Sequence, residues 1–398
     1  MTATHATVQN QPRKPTTQRR SELSARVLRT LSEIEAAKSD WLALEADAEG
    51  AIFFQSFAFC RVAASHAERN GAGRFFVCCV YDKNVLVGLL PLILMKKDVR
   101  TILTGFAEPF QQYTEMLVAS GYDPVAIFDQ IYPQIRASGA DYVHLGGVRK
   151  TGPLHKAIDG RIAHIGAVEG APVVHLIEWP DFETYFKTIT AKTRKSMRNA
   201  RNRLERTGTV SHTVSSYGDH LRAVIDRTYA GRADWLKRMG LTSRAFQNAG
   251  FSEFLDRFKA PEFTNISVLA MSLLHDDRPM ADQWGFVHQG RYYAFMSTLD
   301  TAFEDSSPGR MHLGEVIKTC FEKGIKTADF LVPAVPYKAT WARETVDVQD
   351  HMQPLSLLGR IYTIWFSVIR PLAKKLAYRM PRGLRKSVFR IVFKPADK

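Results

Sequence analysis

Cysteine is scarce: the 398 residues hold four (Cys60, Cys78, Cys79 and Cys320), at no spacing that would ligate a metal. That argues against a disulfide framework or a zinc site and leaves structural thiols in a reducing compartment as the expectation. Long apolar runs are missing as well. The longest, Val85–Met95, is about half a membrane span and is interrupted by Gly88 and Pro91. No apolar stretch follows Arg19 and Arg20, so neither a secretory nor a twin-arginine signal is expected. No Ser-His-Asp order or nucleophile elbow points to a covalent serine route. Acid is nearly absent from the two ends. Residues 1–20 carry four bases and no acid, and residues 360–398 carry eleven bases against Asp397 alone. The net charge of +14 therefore sits at the ends, and the body between them is neutral. A neutral body argues against an extended phosphate-binding field, and so against nucleic acid as a partner.

What is present is ordinary globular composition, 45% hydrophobic and 24% charged, with length for two or three domains. Residues 1–22 read as a disordered leader. A helix is expected over about Leu31–Ala46, followed by an aromatic-rich segment, Ile52–Phe59. Strands are expected at Phe75–Tyr81, Val85–Met95 and Arg100–Phe106. Phe128, Ile131, Tyr132 and Ile135 then share a helical face, Gly139 stops that helix, and Ala140–Leu145 reads as a buried strand.

The same order returns later. Ile266–Leu274, Met280–His288 and Arg291–Leu299 read as strands, and Leu313, Val316, Ile317, Cys320 and Phe321 mark an amphipathic helix. Gly324 ends it before a strand at Ala328–Val332. Asp82 and Asp276 are 194 positions apart, Asp141 and Asp329 188. A near-constant offset across turn, helix and strand predicts a tandem duplication of one α/β unit. The chain divides on this reading into a leader (1–22), two similar domains (23–170 and 171–354) and a basic amphipathic tail (355–398). Between the repeats, Lys192–Arg206 predicts a helix with a narrow apolar stripe (Met197, Ala200, Leu204). Arg194, Arg198 and Arg201 lie together on another face, which suits an anionic or sugar-rich acceptor, a nucleic-acid contact or a solvated surface.

Ser307-Pro308-Gly309-Arg310 opens the second-repeat helix. A helix start offers unpaired N–H groups and the positive end of the dipole, which suits a pyrophosphate. Gly309 would let the backbone approach the phosphates, Pro308 presets the first turn, and Arg310 adds charge. The first-repeat helix instead starts at Asp123-Pro124, where a carboxylate holds the cap position and repels phosphate. A nucleotide-like group is therefore expected in the second repeat only.

Trp41 with Phe54-Gln55, the basic helix closed by Gly208, Asp300 followed by Ser307-Pro308-Gly309, and Lys323-Gly324 through Asp329-Phe330 to Tyr337-Lys338 and Trp341 carry a resemblance. Over about residues 38–350 the chain resembles the GNAT-type acetyltransferases of the cellulose and exopolysaccharide biosynthesis (CelD/BcsL-like) group, related in fold to FemAB-type aminoacyl transferases. It departs from that pattern at Val332-Pro333-Ala334-Val335, where a glycine and polar residues are usual. The resemblance implies an α/β (α+β) fold of tandem GNAT-like domains, with mixed sheets flanked by helices. It implies an acetyltransferase moving an acyl group from acetyl-CoA (acyl-CoA) to a hydroxyl or amine of a saccharide precursor, with no metal, in contact with polysaccharide synthase machinery. FemAB-like transfer from aminoacyl-tRNA and a non-catalytic scaffold of such a synthase are the alternatives.

Acyl transfer needs a polarised carbonyl, a deprotonated acceptor and a proton for the departing thiolate. The end of the strand Arg291–Asp300, with Ser297, is expected at the carbonyl. Tyr337 is the candidate acid, Asp300 the candidate base, and Lys338 the candidate partner of phosphate or substrate. Ser307, Pro308, Gly309 and Arg310 are the candidate cofactor residues, and Arg194, Arg198, Arg201 and Trp341 the candidate substrate residues. In the tail, Ile361, Ile364, Trp365, Val368 and Leu372 share a helical face, widened by Phe366 and Ile369. A second short stretch has Leu384, Val388 and Ile391 with Arg385, Lys386 and Arg390 around them. Such a segment suits the plane of an anionic membrane surface, which would make the protein cytoplasmic and peripheral on the inner membrane face. The competing expectation is a tail packed back on the body.

Overall fold

The computed structural model describes residues 22–369 and 372. The expected leader, apart from Glu22, and the stretch around Leu384–Ile391 lie outside the described residues. Among the described residues, thirteen strands form one continuous sheet. The strands are β1 Leu23–Leu28, β2 Arg74–Asp82, β3 Val85–Lys97, β4 Arg100–Gly105, β5 Leu117–Val118, β6 Tyr142–Arg149, β7 Ala163–His175, β8 Val210–Ser215, β9 Ser267–His275, β10 Arg278–His288, β11 Arg291–Leu299, β12 Thr327–Asp329 and β13 Glu344–Pro354. Their order is β1-β2-β3-β4-β6-β13-β7-β12-β11-β10-β9-β8, with β5 paired to β3.

Helices cover both faces. They are α1 Leu31–Ala36, α2 Lys38–Asp47, α3 Phe57–Asn70, α4 Pro124–Arg136, α5 Pro153–Ile158, α6 Phe182–Lys187, α7 Ala191–Glu205, α8 Gly218–Met239, α9 Arg244–Gln247, α10 Phe251–Asp256, α11 Pro308–Glu322, α12 Pro336–Ala339 and α13 Leu357–Ile364. Cover on both sides explains why β2 and β3 read as unbroken apolar runs rather than alternating ones. Cys78 and Cys79, on opposite faces of β2, are both buried, and burial raises both thiols above their ordinary pKa. Cys60 and Cys320 are buried and free as well.

The doubling is written in the ladder. β2 and β3 slip register at Val80/Tyr81, leaving Val87 as the extra residue, and β9 and β10 slip at Leu273/Leu274, leaving Met280. In both halves the fourth strand pairs in parallel with the strand after the helix: β4 with β6, β11 with β12. The halves then exchange their last strands. β7, which continues the first half, pairs with β12, while β13 closes the second half by pairing with β6. β7 and β13 pair with each other and fuse the two sheets. The expected domain boundary at 170/171 therefore falls inside β7.

The expected helix over Leu31–Ala46 is broken. Thr30 and Glu33 form a capping box that starts α1, and the Ala37 N–H turns back to Glu33 O and Glu35 O before α2 begins. Trp41 of α2 then reaches the core and donates its Nε1–H to Gln55 O at 3.1 Å. The aromatic segment after α2 joins the halves: Phe53 stacks on Phe286 with centroids 4.1 Å apart. The expected strand over Ala328–Val332 stops at Asp329, because Leu331 takes positive φ.

Candidate functional site

The second half leaves open a fork that the first half fills. β11 keeps to β12 only over Arg291–Tyr293 against Thr327–Asp329. Immediately beyond, β11 gains one residue relative to β10, where Trp284 to Phe286 faces Met296 to Tyr293. Such a bulge bends its strand and frees backbone groups from the ladder. Ala294–Leu299 thus diverges from β12, leaving N–H groups on that side without a parallel-strand partner. Its counterpart β4 pairs with β3 without interruption from Lys97↔Arg100 to Leu92↔Gly105.

The chain leaving β12 wraps back over the fork. Val332–Pro333 is cis, and the Lys338 ammonium donates to Phe330 O (2.7 Å), Leu331 O (3.3 Å) and Pro333 O (3.3 Å). Lys338 therefore clasps the loop that departs from the family pattern, rather than reaching toward phosphate. Burial lowers its pKa to about 8. The clasp places Tyr337 near enough to Ser297 of β11 for the Ser297 side chain to act on the phenol's pKa. Burial raises the Tyr337 pKa, opposed by Ser297 and by Arg232 of α8, so the phenol is protonated at neutral pH. Arg232 itself lies over the Trp235 ring at 4.2 Å.

The fork floor is a buried carboxylate. Asp329 is fully buried, and its Oδ1 accepts from the Tyr113 hydroxyl (3.0 Å) and the Leu331 N–H (3.0 Å). Arg149 and Arg291 each bring a guanidinium nitrogen to 3.5 Å from Oδ2. Tyr113 and Arg149 come from the first half, so the two halves meet on this charge.

At the start of α11, Ser307 sits in the left-handed region (φ 51°) and its side chain makes no cap hydrogen bond. Beside it lies a groove of about 560 Å³ whose other wall is α7: Lys192, Lys195, Asn199, Asn202, Arg203 and Arg206. Arg310 Nε is buried without a hydrogen-bond partner among the described residues. A Cβ on Gly309 would stand 3.1 Å from Leu299 Cδ1, so this glycine serves packing against β11 rather than close approach of a ligand. In the first half Asp123 caps α4 by accepting from Val125 N at 3.3 Å and pairs with Lys156.

Four expected residues stand elsewhere. Asp300 caps the turn 301–306 by accepting from Ala302 N (2.9 Å) and pairs with Arg278 at 2.6 Å. These bonds lower its pKa, led by the Ala302 N–H, which makes it a poor base. Trp341 is fully buried, stacked on Phe186 and pressed against Gly314, so it supports α11 and touches no open space. Arg201 is held by Glu205 (2.8 Å) and Glu315 (2.9 Å), and Arg194 Nε by Ile189 O (3.1 Å). Of the expected substrate-binding arginines only Arg198 is exposed and without such a tie among the described residues. The face of α7 that lines the groove is the neighbouring one. Its signal, bases and amides at positions 195, 199, 202, 203 and 206, was present in the sequence. Arg232, Tyr113, Arg149 and Arg291 carried no local signal.

With this geometry in place, residues 191–339 match the family model of the acetyltransferase (GNAT) domain. The match runs from the first residue of α7 to the last of α12. No curated protein sequence matches the chain. Among solved structures, FemX is similar at TM-score 0.55 and 11% identity, covering 82% of this chain and 98% of its own. A tandem GNAT protein from the clavulanic acid biosynthesis pathway is similar at TM-score 0.47 and 12% identity, covering 84% and 99%. At 11% identity the likeness to FemX is one of fold. The second half thus carries an acetyltransferase (GNAT) domain.

Proposed function

We propose that this chain moves an acyl group, acetyl in the simplest case, from acyl-CoA to a hydroxyl or amine of a saccharide precursor at the cytoplasmic membrane face. The observation that carries this reading is the asymmetry of the two forks. Only the second combines a bulged, diverging strand, a protonated phenol and an uncapped helix start beside a basic groove. GNAT domains use acyl-CoA, which supplies an activated thioester when bound. The residues at α11 fit its phosphates: Ser307 leaves the helix start open, the orphaned Arg310 Nε needs an acceptor, and Lys195, Arg203 and Arg206 add charge. The diverging backbone of Ser297 and its neighbours supplies N–H donors for a carbonyl oxygen. Tyr337 Oη, beside Ser297, holds a proton at neutral pH and can release it at the fork. Lys338 keeps that phenol in place. The saccharide acceptor and the link to polysaccharide synthase machinery rest on the family resemblance.

Isothermal titration separates the alternatives. Heat with acetyl-CoA alone is the expected result. Heat with charged tRNA alone would replace this reading by aminoacyl transfer, and heat with neither would leave a scaffold.

A further inference from the structure

The apolar face of the tail helix is exposed. α13 continues into a π-helical turn over Trp365–Ile369, and the helix rests on the body by one side only. Tyr362 stacks on Tyr142 with centroids 4.9 Å apart, Tyr362 and Phe366 pack against the Tyr142–Ile165–Met352 cluster, and Gly359 abuts the backbone of Asp141. The other side is a stripe of large apolar residues left in solvent: Leu357 is 77% exposed, Ile361 68%, Ile364 55% and Val368 51%, with Trp365 and Leu372 in the same row. From Leu357 to Val368, at about 1.5 Å per residue, the stripe is roughly 16 Å long. Among the described residues no helix is long and apolar enough to cross a membrane.

Around the stripe the charge is positive. Arg100, whose guanidinium lies 4.1 Å above the Tyr362 ring, belongs to the β3–β4 turn. That turn also presents Lys96, Lys97 and Val99, the last 83% exposed. Its one acid, Asp98, is paired with Arg100 at 2.7 Å. Asp141, under the start of α13, is occupied by Thr101 N (2.7 Å) and Ser356 Oγ (2.6 Å). At the base of the helix lies a groove of about 530 Å³ lined by Tyr132, Arg136, Gln353, Ser356, Leu357 and Arg360. Arg136 and Arg360 make no ion pair among the described residues, and Gln353 Oε1 is buried without a partner. The remaining chain, residues 373–398, carries nine bases and one acid.

We propose that this face, comprising the α13 stripe, the β3–β4 turn and the Arg136–Arg360 groove, docks on an anionic phospholipid surface, with a headgroup phosphate in the groove. Apolar side chains enter the headgroup–acyl boundary while the bases meet anionic headgroups. The proposal rests on the membrane placement given above, names the surface responsible, and is independent of the transfer chemistry.

The test is co-sedimentation of the full chain with phosphatidylcholine vesicles, with and without phosphatidylglycerol. The full chain is expected to bind only the mixed vesicles, more weakly as salt rises. An Ile361→Ser/Ile364→Ser variant should lose binding by about tenfold or more. An Arg136→Gln/Arg360→Gln variant should lose about tenfold, with a shallower salt dependence. Thermal melts like the parent's establish that both variants fold. A folded Ile361→Ser/Ile364→Ser variant that binds as the parent does overturns this surface while leaving membrane attachment through another. A parent that binds neither vesicle overturns both. A full chain that is dimeric without vesicles and monomeric in the Ile361→Ser/Ile364→Ser variant places a second copy on the stripe, which also overturns the proposal.

Discussion

The two halves build the same helix in the same place and begin it with different chemistry. α4 starts Asp123-Pro124-Val125, and α11 starts Ser307-Pro308-Gly309. Proline takes the first helical position in both, where its missing N–H costs nothing. Asp123 then accepts from Val125 N, and its charge meets the positive helix end. Ser307 leaves that end open to the basic face of α7. The forks differ in the same sense. In the first half the chain after β4 fills the space, with Thr114 N donating to Gly147 O at 3.3 Å and Gln111 packed onto Gly105. In the second half the returning loop brings Tyr337 and Ser297 to the opening instead. Duplication supplied two frames. On the proposed reading, capping and plugging one of them leaves chemistry to the other.

The largest effect is expected at the phenol. Tyr337→Phe keeps the ring and removes the proton, so kcat should fall by about 10²- to 10⁴-fold while acetyl-CoA affinity is little changed. Full turnover would make Tyr337 a packing residue. Next comes the helix start. Writing the first half's cap into the second, as Ser307→Asp, should weaken acetyl-CoA binding by about tenfold or more, from a charge at the helix end worth about 1–2 kcal/mol. Gly309→Asp adds a carboxylate to the same helix turn and should weaken binding likewise, the melt showing whether the fold accepts a Cβ 3.1 Å from Leu299 Cδ1. Calorimetric affinity with a melt as control reads both variants, and unchanged affinity in either would move the phosphate site away from α11.

A smaller effect concerns His312, which occupies the place of Phe128 in α4. It is buried, with both ring nitrogens unpartnered among the described residues, and burial beside His212 lowers its pKa to about 3. The unfolded chain binds a proton near pH 6.5 that the folded chain refuses until about pH 3. Stability is therefore lost as pH falls through that window, by up to about 1.4 kcal/mol per unit. His312→Phe should flatten the acid limb of a denaturation profile, and an unchanged limb would show that His312 is not responsible.

Much of this frame was legible because it is local. The hairpins at Asp82–Asn84 and Asp276–Arg278, the helices around Phe128 and Val316, and the spacing between them need only periodicity and turn residues. The strand exchange was not legible, because β7 and β13 take their partners from opposite ends of the chain. α8 also went unread. It packs under β9, β10 and β11 by a sparse set of apolar residues, among them Leu221, Val224 and Ile225. Within the site, Ser297 and Tyr337 lie on β11 and α12, and the α11 start faces α7. Trp341, Asp300 and Lys338 carry polar or aromatic groups that look chemical in sequence and are spent on packing, capping and clasping. Residues that act across the seam, Tyr113 and Arg149 on Asp329, could be found only once both halves were in place.

The central claim is that one frame of the two binds acyl-CoA, and titration calorimetry with acetyl-CoA tests it most directly. The account predicts one site per chain, weakened by Ser307→Asp and untouched by Asp123→Ser. Two equivalent sites, or a single site that follows Asp123 rather than Ser307, would contradict it.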